Sequence, residues 1–231
     1  MMLLGAVAAM VLGRLGSTPV LWLDPEGHVL VQGKPVREAR LTRGAMATQT
    51  PFGIGLDLNG THGGLLLPDM PALALTDSMT VSTWVYLRAY VPAGPGAQIL
   101  FRGDDRNGLD PYNLVVHSDG NVVFAISDAK GGSDEVVAHI PLNKWVHVTA
   151  SFDAALCEAK IWLDDRCVQT VPTLHQPLMT LSKGSAPGVG IGNVQNDKGP
   201  HNQPLNGIVA DLRLYDTALR PTEAGWTAFK G

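Results

Sequence analysis

The run Asn143-Lys144-Trp145-Val146-His147-Val148-Thr149-Ala150-Ser151-Phe152-Asp153, followed after a short gap by Ala159-Lys160-Ile161-Trp162-Leu163-Asp164-Asp165-Arg166, decides the fold. Between Trp145 and Phe152 the apolar residues Val146, Val148, Ala150 and Phe152 recur at every second position, and His147, Thr149 and Ser151 fill the positions between. Successive side chains of a strand point to opposite faces, so the pattern predicts a half-buried strand with one apolar and one polar face. A loop over 153–158 follows. The second run, Ile161 to Asp164, turns at Asp164-Asp165 and returns as Cys167 to Val171, as a two-residue hairpin would. That register sets Leu163 opposite Arg166 and Trp162 opposite Cys167. Cys157, the other cysteine of the chain, then lies farther along and on the opposite face by strand parity. A disulfide needs both sulfurs on one side, so two free thiols are expected, as small apolar fillers.

Further short motifs lie on either side in a fixed order. Upstream are Ser78-Met79-Thr80-Val81-Ser82-Thr83-Trp84-Val85 and Gln98-Ile99-Leu100-Phe101-Arg102-Gly103-Asp104. Downstream are Val189-Gly190-Ile191-Gly192-Asn193, the run from Leu205 to Asp216, and Ala218-Leu219-Arg220-Pro221-Thr222-Glu223. Taken in order from Phe52 to Glu223, this succession resembles the laminin-G-like and pentraxin-like branch of the concanavalin A-like lectin/glucanase jelly rolls. The resemblance implies an all-β, two-sheet antiparallel jelly-roll sandwich.

Composition points to the same class without the resemblance. The 231 residues include 26 Gly and 16 Pro, only 16% are charged and 45% are hydrophobic, the profile of many short strands joined by tight turns. One sandwich domain over 18–231 fits that length, preceded by an apolar arm over 1–17. The run from Met1 to Gly13 is too short to span a bilayer as a helix and lacks the basic start of a secretory signal. Three readings stay open, a remnant of a longer apolar segment, a poor signal peptide and a segment that docks on the body or on a neighbour; the docked segment is preferred, because a free apolar run of that size would promote aggregation. The net charge of −4 and the scattered Lys and Arg give no footprint for nucleic acid.

Along the rest of the chain, Val20 to Leu23 and His28 to Gln32 flank the turn Asp24-Pro25-Glu26-Gly27, a hairpin. The polar stretch from Lys34 to Thr50 reads as surface wrapping, and Leu65-Leu66-Leu67 as a short buried strand stopped by Pro68. Two polar loops carry the binding potential, one from Arg102 to Tyr112 and one from Asn193 to Gln203, since loops on a rigid sandwich are where such folds keep their contacts.

Calcium takes six to eight hard oxygen ligands, which Asp and Asn side chains supply. By resemblance to pentraxin-like relatives, Asp104, Asp105 and Asn107 form one half of a calcium site, and Gln195, Asn196 and Asp197 the other. The second loop departs from the pattern in having no Glu. Sugar rings stack on aromatic faces and present many hydroxyls, so Tyr112, Asn113, His117, His201 and Asn202 are read as a glycan surface, with Arg102 and Asn107 at its edge. Trp84, Trp145 and Trp162 lie inside strand motifs and read as packing residues; Trp22 and Trp226 stay open. The tripeptide Arg102-Gly103-Asp104, also an integrin-binding spelling, falls at a turn of the fold and is treated as coincidence.

Against catalysis, the five glutamates, Glu26, Glu38, Glu135, Glu158 and Glu223, never alternate within one strand as a glycoside hydrolase pair would. His147 is read as a structural histidine bonded to a loop carbonyl. The expected function is a non-catalytic recognition or adhesion module for a glycan or cell-surface protein, extracellular or in the cell envelope and calcium-dependent through the two loops. The alternatives are an assembly subunit that self-associates through the apolar arm, and a glycoside hydrolase of this fold.

Overall fold

The computed structural model describes residues 17–91, 96–104, 106, 109–182, 187–195 and 199–229. In chain order its strands are β1 (Leu21–Leu23), β2 (Val29–Val31), β3 (Lys34–Pro35), β4 (Arg40–Leu41), β5 (Ala45–Thr50), β6 (Gly53–Asn59), β7 (Leu65–Leu67), β8 (Met79–Leu87) and β9 (Ala97–Asp104). They continue as β10 (Tyr112–Val116), β11 (Asn121–Ser127), β12 (Ser133–His139), β13 (Trp145–Asp153), β14 (Glu158–Leu163), β15 (Arg166–Pro172), β16 (Pro187–Ile191) and β17 (Asn206–Tyr215). One sheet runs β15-β14-β13-β8-β17-β1-β2-β3, with β6 and β5 attached alongside β17; the other runs β12-β11-β10-β9-β16-β7-β4. The named strands pair antiparallel, which makes the fold an all-β, two-sheet jelly-roll sandwich. Among the described residues the sole helical turn is the 3-10 turn Pro71–Leu73, and no helix is long and apolar enough to cross a membrane.

The core lies between the sheets, where Leu21, Val85, Leu114, Phe124, Val148, Ile161 and Leu214 are sealed from solvent. Two irregularities aim side chains. In β9, Leu100 pairs with Leu114 and Gln98 with Val115, so Ile99 is an extra residue that reverses strand parity. Ile99 and Leu100 therefore both enter the core, whereas Gln98 and Phe101 both face the 193–203 loop. In β17, a bulge between Ala210 and Arg213 coincides with the change of neighbour from β6 to β1.

The deciding strand differs from its sequence reading in one respect. Val146, Val148, Ala150 and Phe152 do face the core, but the polar face is buried as well: His147 is 2% exposed, Thr149 0% and Ser151 4%. The segment after β17 folds back across it. Thr80 donates to the Thr217 carbonyl (2.7 Å) and accepts from the Leu219 N–H, and Ser82 donates to the Ala224 carbonyl (2.8 Å). Hydroxyl groups on the outer face of β8 thus act as fasteners for the carboxyl-terminal segment.

Trp162 pairs with Cys167 and Leu163 with Arg166, and both thiols are free. They are exposed, however, instead of filling apolar space. The stretch from Lys34 to Thr50 also holds more order than surface wrapping, since β5 forms a hairpin with β6. The apolar arm lies outside the described residues except for Ser17.

Candidate functional site

Trp145 and His147 share the parity of the polar face of β13, and across the ladder Trp145 pairs with Tyr86 and His147 with Trp84. Two tryptophans and a tyrosine are therefore set on the outside of the sheet. Phe52, at the tip of the β5–β6 hairpin, stacks on Trp84 with ring centres 4.0 Å apart and planes within 6°. It meets Trp145 and Phe229 edge-on at 5.2 and 4.9 Å. Trp84 is thereby covered, while Tyr86 and Trp145 stay half-buried.

The result is an open groove of about 690 Å³ lined by Trp84, Tyr86, Trp145, Trp226 and Phe229, with Asn143, Lys144 and Asp164 among its polar groups. The carboxyl-terminal segment supplies Trp226, Ala228 and Phe229. The indole N–H of Trp226 is buried and has no hydrogen-bond partner among the described residues. The sequence signal for this groove was a tryptophan at a polar-face position. Membership in a strand suggests packing, whereas parity assigns Trp145 to the outside.

Beneath the carboxyl-terminal segment, His147 sits between two hydroxyls. Its Nε2 lies 3.1 Å from Ser82 Oγ and its Nδ1 3.2 Å from Thr149 Oγ1. Ser82 already donates to a carbonyl, so it can only accept from Nε2–H; Nδ1 then accepts from Thr149, and the imidazole is neutral. Burial, with a further contribution from Arg213, lowers its pKa to about 3. His147 is structural as expected, but its partners are hydroxyls and not a loop carbonyl.

The structure brings few of the other expected site residues to a surface. Arg102 is fully buried: it pairs in a fork with Asp69 at 2.8 and 3.1 Å and donates to the carbonyls of Leu178 and Met179. Tyr112 is also fully buried, donates to the Leu73 carbonyl, and has its pKa raised by that burial. These two side chains hold the core end of the sandwich together and are inaccessible to a ligand. Asp104 has no exposed surface; Arg106 contacts both of its oxygens and the Ser182 N–H donates to it. Burial raises its pKa, but the hydrogen bonds from Arg106 and Ser182 outweigh that and hold it at about 2. Arg102 and Asp104 of the Arg-Gly-Asp spelling are thus both committed inside the protein.

Gln195 spends its side-chain carbonyl on the His201 N–H, and Asn202 accepts from Asn193. His201 packs on Phe101 at 4.8 Å, with Nε2 4.0 Å from Asp110. Asp105, Asn107, Asn196 and Asp197 lie outside the described residues. Of the six expected calcium ligands two are described: Asp104 is engaged by the Arg106 guanidinium and Gln195 by the His201 N–H. A different group, Asp24, Glu26 and His28, brings ligand atoms within 4.8 Å of one another and could coordinate a divalent ion. With an imidazole among its donors, that set does not have the all-oxygen character calcium prefers.

Two other depressions flank the fold. A cleft of about 590 Å³ at one end is lined by Lys130, Phe152, Cys157, Leu174, Met179 and the Asp128–His175 pair. A smaller dip of about 230 Å³ gathers Asp153, Glu158 and Glu223. Each of these carboxylates has a partner: Asp153 accepts from the Ala155 and Leu156 amides, Glu158 pairs with Lys160, and Glu223 with Arg220.

A family model described as the Concanavalin A-like lectin/glucanases superfamily matches residues 59–225. Among solved structures, Domain 4 of AbnA, an extracellular arabinanase from Geobacillus stearothermophilus in complex with arabinotriose, is similar with a TM-score of 0.64. Its identity is 17%, over 90% of this chain and 97% of that domain. The binding domain of Paraclostridial Mosquitocidal Protein 1 is similar at a TM-score of 0.62 and 13% identity, over 90% of this chain and 51% of that one. The binding domain of Botulinum Neurotoxin DC in complex with SialylT gives 0.61 and 14%, over 89% and 49%. The chain spans about half the length of these two toxin domains, and at such identities the likeness is one of fold. No curated protein matches the sequence.

Proposed function

The chain belongs to the concanavalin A-like lectin/glucanases superfamily, and we propose that within it this chain is a non-catalytic, extracellular recognition module that binds a saccharide in its aromatic groove. The observation that carries this reading is the groove itself. Tyr86 and Trp145 present aromatic surface on the outside of a rigid sheet, walled by Trp226 and Phe229 and edged by polar groups. A sugar ring has one face of C–H groups and a periphery of hydroxyls, and an aromatic floor with polar margins complements both. Support for a glycan outside the cell comes from the neighbours: one is a domain of an extracellular arabinanase solved with arabinotriose, another a toxin binding domain solved with SialylT.

The hydrolase alternative has less support. Glycoside hydrolysis uses two carboxyl groups facing each other across the scissile bond, and those gathered at Asp153, Glu158 and Glu223 are held by cations or turn amides. Among the described residues, Asp164 is the only carboxylate lining the aromatic groove. Calcium is not needed for this reading, since one carboxylate falls far short of the oxygen shell that ion takes.

Titration calorimetry with arabinotriose and a panel of other oligosaccharides tests the reading, with W145A as the comparison. Loss of the stacking surface is expected to weaken binding by about tenfold or more, equivalent to about 1.4 kcal/mol. Unchanged affinity in W145A, or no binding across the panel, would sink it.

A further inference from the structure

Building on the groove as the saccharide site, we propose that it selects a neutral, hydroxyl-rich sugar unit, read by Asn143, Asp164 and the indole N–H of Trp226.

Asn143 and Asp164 enter the groove from two different turns. Both have left-handed backbones, with φ of 56° and 55°. Asn and Asp tolerate that conformation better than other side chains, so the turns alone account for the residue types. The turns do not account for what the side chains leave unused. Asn143 is anchored by its backbone N–H to the Leu87 carbonyl at 2.7 Å, and its side-chain amide makes no hydrogen bond within the described protein. Asp164 is anchored twice: its N–H donates to the His147 carbonyl at 2.8 Å, and its Oδ1 accepts from the His147 N–H at 3.1 Å. Its Oδ2 has no protein partner among the described residues. The backbone at each position is fixed, and one polar group is left over at the same groove. An amide that both donates and accepts, beside a carboxylate oxygen that accepts, is a set suited to adjacent sugar hydroxyls, each of which can donate or accept.

The third reader is Trp226. Buried polar groups in folded proteins are nearly always paired, and the Trp226 N–H is buried without an acceptor. It lies in the groove wall contributed by the carboxyl-terminal segment. A ligand hydroxyl oxygen supplies the acceptor that the described residues do not.

Charge decides between sugar classes. Among the described residues the polar lining carries one acid, Asp164, and one base, Lys144, which balance. Aromatic faces carry negative potential, and together with Asp164 they disfavour a carboxylate stacked on Trp145. A cationic sugar is attracted by the same groups, but it meets Lys144 and loses the hydration of its charge on entering the groove. A neutral ring avoids both penalties and keeps every hydrogen bond.

The test compares three probes by titration calorimetry: arabinotriose as the neutral sugar, a sialylated trisaccharide as the anion and a glucosamine trimer as the cation. W145A, D164N and W226F are run alongside, with melting curves to confirm that each variant is folded. The neutral probe is expected to bind about tenfold or more tighter than either charged one. D164N should weaken the neutral probe severalfold and narrow its lead over the anion, and W226F should weaken it while retaining the ring. The Trp226 indole resonance in a ¹⁵N-labelled sample should shift on adding arabinotriose. Equal or tighter binding of the anionic probe, or D164N and W226F affinities equal to the unmodified protein, would overturn this inference while the W145A result still upholds the groove. If W145A has no effect or no probe binds, the saccharide reading falls and this inference with it.

Discussion

His147 is a base that the fold keeps from taking a proton. Its ordinary pKa of 6.5 is lowered to about 3 by burial, with Arg213 adding to the effect. Between these values the unfolded chain binds a proton that the native protein refuses. The stabilisation from a neutral His147 is therefore complete above about pH 6.5 and is lost as pH falls toward 3. The expected slope is about 1.4 kcal/mol per pH unit. Urea unfolding from pH 7.5 to 4 should show that decline, and H147Q should show less of it, at a lower plateau. An equal slope in the variant would mean that another group is responsible. Arg102 gives a second prediction at this scale. Its guanidinium is 1% exposed and serves Asp69 and two carbonyls. R102A leaves those acceptors without a donor and should cost about 3 kcal/mol in urea unfolding. Saccharide affinity of the folded fraction should be unaffected; a loss of affinity at unchanged stability would return Arg102 to the binding surface.

The element that walls the proposed saccharide groove is the segment after β17, and Gly225 is a position on which its docking depends. Gly225 has φ of 98°, and a methyl group there would overlap the guanidinium of Arg213. Arg213 is held in place by Asp211 and stacks on the ring of Trp22 at 5.1 Å, so it yields little. G225A should therefore lift the segment from the sheet, costing about 2 kcal/mol in backbone strain and lost contacts, and weaken saccharide binding by at least about tenfold through loss of the Trp226 wall. Hydrogen exchange at 217–229 reads the undocking: protection equal to the unmodified protein would show that Gly225 is not the hinge of this contact. The same element marks the limit of what sequence could tell. Alternation revealed β13 and the β14–β15 hairpin because that signal is local. The fastening of Ser82 to Ala224 spans 142 residues, and no local pattern announces it. Without that cover in view, Thr149 and Ser151 read as the polar face of a half-buried strand, and Trp145, which shares their parity, reads as a packing residue. Arg102 and Tyr112 were misplaced for a related reason. They border a polar loop in sequence, but the extra residue in β9 turns Arg102 inward.

At the scale of the whole molecule, four arginines are spent on the fold. Arg88 pairs with Asp57, Arg102 with Asp69, Arg106 with Asp104 and Arg213 with Asp211, so these four bases are neutralised within the sandwich. The net charge of −4 is small for 231 residues, and the groove lining adds one acid and one base. Binding that rests on stacking and hydrogen bonds to a neutral sugar releases no counterions. Screening shortens to about 3 Å at 1 M salt, which weakens steering by exposed charges but leaves contact hydrogen bonds and apolar burial in place. Arabinotriose affinity is therefore expected to change by less than about twofold between low salt and 1 M, and to survive a chelator, since one groove carboxylate cannot complete a calcium shell. A steep fall with salt would place the partner among anionic polymers or proteins, and loss of binding in chelator restored by added calcium would move the site to the loops beyond Asp104 and Gln195. Either result would shift the functional surface from the outer face of the β8–β13 sheet to the rim, where the sequence first placed it.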